Sequence, residues 1–115
     1  MKNEDVADLE QIEINIEAAK QLIAIDETLT RLENNKDFQA IILEDFFKTN
    51  VVRLVRLKAS PQCQDDLNQK FITAQIDAVG QMHQYFTGIR IQGNSARQAL
   101  ERDQEELASI LTERG

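Results

Sequence analysis

Apolar residues recur at helical intervals along almost the whole chain. Val6, Leu9, Ile12, Ile16, Ala19 and Ile23 step by three and four, which sets them on one face of a helix running from residue 3 to about 33. Leu22, Ile25, Leu29 and Leu32 continue the spacing on an adjoining face. Asn3 with Glu4 and Asp5 suits a first turn, and Asn34-Asn35 is the natural stop. A second helix is expected from Asp37, read as its cap, with Phe38, Ile41, Ile42, Asp45 and Phe46 at helical spacing. Thr49-Asn50 predicts a kink or short break, since both side chains compete for backbone hydrogen bonds. Val51 to Lys58 then reads as further helix or as a short strand.

Ser60-Pro61 is the clearest break, with serine as an N-cap and proline as a first helical residue. A long helix is expected from there to about Ile91. Its stripe is Leu67, Phe71, Ala74, Ala78, Met82, Tyr85 and Ile89, and beside it run Ile72, Ile76, Val79 and Phe86. Gly80 and Gly88 either weaken this helix or let a neighbour approach closely. Gly93 reads as its end, Ser95-Ala96-Arg97-Gln98 as a capping box, and residues 96–113 as a last helix. Residues 12–16, 51–57 and 87–92 also fit strands. The expected fold is therefore all-α, a small bundle of three to four helices with one or two long amphipathic helices, and α+β is the runner-up.

Composition narrows this further. A chain of 115 residues has room for one domain, taken as 1–115. One proline and four glycines argue against a turn-rich β-sandwich. No apolar run reaches the ~20 residues that span a bilayer, and the start MKNEDVADLEQ has no apolar signal core. A single cysteine, Cys63, forms no intramolecular disulfide and fits a reducing compartment. The net charge is −7, and residues 1–37 hold ten acids against four bases. That end should repel nucleic acid and anionic membranes. Lys48, Arg53, Arg56 and Lys58 form a short basic stretch without adjacent aromatic platforms, too small for appreciable duplex binding.

The residues needed for catalysis are sparse. Cys63 and His83 are twenty positions apart, ~30 Å on one helix, whereas a nucleophile and its base need hydrogen-bond reach. One histidine, preceded at three positions by Gly80, cannot supply the paired Glu-x-x-His of a di-iron bundle. The glycines are isolated and form no phosphate loop. No enzyme, metal or cofactor is expected. Phe46 and Phe47 stand out instead, because neighbours on an α-helix point ~100° apart and cannot both face a thin core. They join Arg53, Arg56, Met82 and Phe86 as the expected partner interface. The double stripe around Ala78, Met82 and Phe86 exceeds what one short helix covers, so a homo-oligomer is expected, most simply a twofold dimer.

A family resemblance rests on several stretches together: Arg31-Leu32-Glu33-Asn34-Asn35-Lys36-Asp37-Phe38, Ile42-Leu43-Glu44-Asp45-Phe46-Phe47, Val52-Arg53-Leu54, Gln75-Ile76-Asp77-Ala78-Val79-Gly80, Tyr85-Phe86 with Ile89, and the Glu-rich Ala99 to Leu107. The series resembles a family of small acidic helical proteins of tailed bacteriophages, often encoded among virion-assembly genes. The resemblance carries no catalytic signature. It implies a viral protein in the cytoplasm of an infected bacterium or in the virion, non-enzymatic, with protein partners that include viral ones. The alternative is an acidic host-directed binder that inhibits a bacterial nucleic-acid-binding factor.

Overall fold

A computed structural model describes residues 3–114, with side chains from Val6 to Glu113. The expected Asn3 cap lies outside the described side chains. The chain is all-α, and no strand occurs among the described residues. It consists of α1 (Asn3–Glu33), a short α2 (Lys36–Phe38), a π-helix (Gln39–Thr49), α3 (Asn50–Ala59), a 3-10 turn (Pro61–Cys63) and α4 (Asp66–Arg114). All three alternative strand segments are helical, because the helical pattern on both sides of each outweighs local β propensity.

The chain divides into two compact units. One is Leu29–Gly88; the other joins residues up to Thr28 with those from Ile89 onward.

In Leu29–Gly88, α1 ends where Asn34 turns its backbone and side-chain amides onto the Thr30 carbonyl, at 3.2 and 3.0 Å. Asn35 leaves the helix with φ −82° and ψ 127°, and its Oδ1 accepts from Asp37 N and Phe38 N, both at 3.0 Å. The cap is thus Asn35 rather than Asp37. Asp37 sits in the first turn, where its charge still suits the helix N-terminus.

The expected break at Thr49-Asn50 is absent. Phe38, Gln39, Thr49 and Asn50 are all in the right-handed helical region, so residues 36–59 run without interruption. Competition for backbone bonds is resolved by a wider turn: Asn50 N–H donates to the Asp45 carbonyl and Thr49 Oγ1 to the Glu44 carbonyl, both five residues back.

The widened turn changes which residues meet the core. Covered positions come as adjacent pairs every four residues: Phe38-Gln39, Ile42-Leu43, Phe46-Phe47 and Asn50-Val51. Phe46 and Phe47 both pack on the cluster of Leu54, Ile72 and Val79, joined by Val51, Leu57, Cys63 and Ile76. The premise that they cannot share one core fails, because it assumed α-helical turns.

Ser60 caps as expected, but the element it opens is a single 3-10 turn. Ser60 Oγ accepts from Gln62 N at 3.4 Å, and Cys63 N donates to the Ser60 carbonyl at 3.1 Å. The Gln64 and Gln69 amides donate to the Lys58 carbonyl at 3.0 and 2.9 Å and so hold the turn. The long helix starts afresh at Asp66, capped by Asp65, whose Oδ2 accepts from Asn68 N at 3.1 Å.

In the other unit, Leu9, Ile12, Ile16, Ala19 and Ile23 of α1 and Ala96, Ala99, Leu100, Leu107 and Ile110 of α4 are half-buried or buried, with Ile12, Ala19 and Ala96 the most covered. Gly93-Asn94-Ser95 does not end a helix: α4 continues through it, and no glycine takes positive φ. Gly93 serves close approach instead. A Cβ there would lie 2.5 Å from both Asp26 Cβ and Asp26 Oδ2. At Gly80 and Gly88, where close approach was one of two readings, a Cβ would meet nothing within 4 Å.

Candidate functional site

The long helix carries two apolar lines in Leu29–Gly88, and only one of them is covered. Ile72, Ile76, Val79 and Phe86 face the π-helix and α3. Their side chains lock against an aromatic group in which Phe86 meets Phe47 edge-on at 5.8 Å and Phe38 at 6.1 Å. The other line is the stripe Leu67, Phe71, Ala74, Ala78, Met82 and Tyr85, and every member of it is exposed. Leu67 is 74% exposed, Phe71 66%, Met82 43% and Tyr85 64%.

Helix geometry explains both lines. At 100° per residue, the six stripe residues fall within about 40° of the line through Ala78, and the covered residues sit roughly 100° round the cylinder. The steps of four, three, four, four and three contain an eleven-residue repeat, from Leu67 to Ala78 and from Phe71 to Met82. That repeat lies close to the α-helical period, so the stripe stays nearly straight on its helix. Between Phe71 and Tyr85 the one formal charge is Asp77, about 100° off the stripe. Soluble chains seldom leave so much apolar side chain in water along one helix line.

The six residues expected at an interface occupy three environments. Phe46, Phe47 and Phe86 are half-buried, the first two against Leu54 and the third against Phe47. Met82 lies on the open stripe. Arg53 and Arg56 are exposed and line an open groove of about 770 Å³ with Lys48, Val52, Leu57 and Ser60. Arg53 Nη2 donates to Asn50 Oδ1 at 2.7 Å, and Lys48 pairs with Glu44 at 3.1 Å. The groove is basic, but its Lys48–Glu44 pair is exposed and contributes little.

Leu67, Phe71 and Tyr85 are exposed stripe residues that the expected interface did not include. Two parallel apolar lines were visible; nothing in α4 alone says which one the rest of the chain covers. A discriminating signal was present in their make-up. The covered line is mostly β-branched aliphatics, while the open one sets Ala74 and Ala78 together between Leu67 and Phe71 on one side and Met82 and Tyr85 on the other.

Cys63 is half-buried at the core edge, in the turn before α4. His83 is exposed and stacks edge-on against Phe47 at 5.6 Å. From the start of α4 to His83 is already about 26 Å along the helix, so the two do not form a nucleophile–base pair. The Asn68 side-chain amide and then its backbone N–H hold the Asp65 carboxyl below its ordinary value of 3.8. Both donors belong to the helix cap, and the shift reflects capping. Among the described residues, no three His, Cys, Asp or Glu side chains converge as a metal site, and no helix is long and apolar enough to cross a membrane.

The other unit holds an ion pair of which one partner is buried. Asp26 continues the apolar line of α1, three residues after Ile23, and its side chain is 5% exposed. Arg97 Nη1 donates to Asp26 Oδ2 at 2.6 Å and to Asn94 Oδ1 at 3.1 Å. The pair sits beside Gly93, where α1 and α4 approach closely. An open cleft of about 460 Å³ nearby is lined mainly by apolar groups, including Ala18, Leu22, Ile91 and Ala99.

No family model, curated protein or solved structure matches the chain.

Proposed function

We propose that this chain is a non-enzymatic assembly protein that acts through helix-mediated protein–protein contacts during the building of a bacteriophage particle. The observation that carries the protein-binding part is the uncovered stripe from Leu67 to Tyr85. A helix that leaves two aromatic residues, a leucine and a methionine in water has surface to bury against another protein. The phage setting rests on the family resemblance, which places the protein in the cytoplasm of an infected bacterium and in the particle under assembly. The basic groove beside Arg53 and Arg56 is a second contact surface, suited to acidic protein segments.

Purified particles test this reading. Wild-type protein should be retained in particles or in assembly intermediates. A Phe71→Asp/Tyr85→Asp double variant that keeps its helical circular dichroism should be lost from them. Retention of the double variant at wild-type level would refute the role of the stripe.

A second reading is favoured by one observation. Glu10, Glu13 and Glu17 are exposed around Ile14 on one side of α1. Such an acidic face suits a binder that occupies the basic surface of a host nucleic-acid-binding factor. Competition with duplex DNA for such a factor would support it.

A further inference from the structure

We infer that the stripe on the long helix is covered by the same stripe of a second copy of this chain, antiparallel, with the twofold axis at Ala78. The inference rests on the reading of the stripe as a protein-binding surface and names what binds it.

The register of the stripe is self-complementary. Its steps read the same in both directions from Ala78: four and three to Phe71, four and three to Tyr85. A twofold axis through Ala78 therefore sets Phe71 against the partner's Tyr85, Ala74 against the partner's Met82, and Ala78 against the partner's Ala78. Large residues meet small ones or form an aromatic pair, so volume is spread evenly along the seam. The one thin layer is at the axis, where two alanines let the helices come closest.

A parallel pair would match each residue with its own copy. Ala74 and Ala78 would then make two thin layers in succession, between bulky Phe71 and Met82 layers. That leaves a void at the waist or a bend in the helices, and either forfeits dispersion contacts.

Surface and charge agree with this occupant. At 66% and 64% exposure, Phe71 and Tyr85 each offer roughly 130 Å². Together they supply about a third of the ~800 Å² per partner in a standard stable interface, to which Leu67, Met82 and the two alanines add. Two copies of net charge −7 repel one another, and the face they would share carries no formal charge from Phe71 to Met82 other than Asp77, off to its side. Association through it should tighten as salt screens the remaining repulsion.

Cysteine cross-linking of the full chain tests both the partner and the register. In a Cys63→Ser parent, Ala78→Cys should form a disulfide dimer rapidly under mild oxidation at micromolar concentration. Phe71→Cys alone should not, because its copy would lie fourteen residues away, about 21 Å along the helix. A mixture of Phe71→Cys and Tyr85→Cys chains should give the mixed dimer. Phe71→Cys homodimers formed as fast as the Ala78→Cys dimer would overturn the antiparallel register. No dimer from Ala78→Cys, together with a monomeric mass for the parent in sedimentation, would overturn the second copy as occupant. If particle retention were still lost in the Phe71→Asp/Tyr85→Asp variant, the stripe would belong to a different protein and the assembly reading would survive.

Discussion

Adding one methyl group at Gly93 should cost more than adding it at Gly80, and the difference isolates the close approach of α1 and α4. Both substitutions to alanine gain the same helix propensity, about 1 kcal/mol. At Gly80 nothing lies within 4 Å of the new Cβ, so the gain is kept. At Gly93 the new Cβ would stand 2.5 Å from Asp26 Cβ, an atom fixed to the backbone of α1. Normal contact is about 3.5 Å, so the helices must separate locally by about 1 Å. A gap of that size forfeits a quarter to a half of each contact it opens, here around Ala19 and Ala96. It also strains the 2.6 Å bond from Arg97 to Asp26. Overpacking of this kind costs about 1–3 kcal/mol, so Gly93→Ala should be less stable than Gly80→Ala by that amount. Near this chain length the gap corresponds to roughly 4–12 °C in Tm. Thermal melts followed at 222 nm, at one fixed protein concentration, measure it directly. Equal melting temperatures for the two variants would refute the close-approach argument.

Other perturbations have equally definite outcomes. Leu54→Ala should lose about 2–5 kcal/mol in urea unfolding, because Leu54 is completely buried under Phe46, Phe47 and Ile72. Asp65 holds a lowered pKa, so its cap adds stability above about pH 3.8 and loses it as pH falls through the lower folded value; Asp65→Asn keeps the acceptor and should flatten that part of the acid titration seen by NMR of Asn68. Duplex DNA should show no sub-micromolar gel shift at ~0.15 M salt, and Arg53→Ala/Arg56→Ala should leave that unchanged, since four bases release about four counterions at most.

Much of the helical content could be read from the sequence because it depends on local signals. The stop at Asn34-Asn35, the Ser60-Pro61 break and the helical periodicity are properties of neighbouring residues, and all three appear in the fold. What escaped depended on a second element. Gly93 has the chemistry of a helix terminator, and only Asp26 on another helix makes it a contact point. Asp26 reads as one more solvated acid until Arg97 is found beside it. The π-helical turns that bring Phe46 and Phe47 into one core have no short sequence signature. The candidate surface was legible as a pair of apolar lines on α4. Which line stays in water was decided by where the π-helix and α3 pack, a tertiary fact.

The stripe from Leu67 to Tyr85 is the proposed place where the chain meets another protein, and first of all its own copy. Sedimentation equilibrium of wild type and Met82→Asp, at tens of micromolar and ~0.15 M salt, tests it most directly. Met82 is 43% exposed and outside the buried cluster, so the variant should keep its fold while placing two carboxylates in the proposed seam. Wild type should sediment at twice the chain mass and Met82→Asp at the mass of one chain. A wild type that stays monomeric, or a variant that dimerises as tightly as wild type, would contradict the proposal.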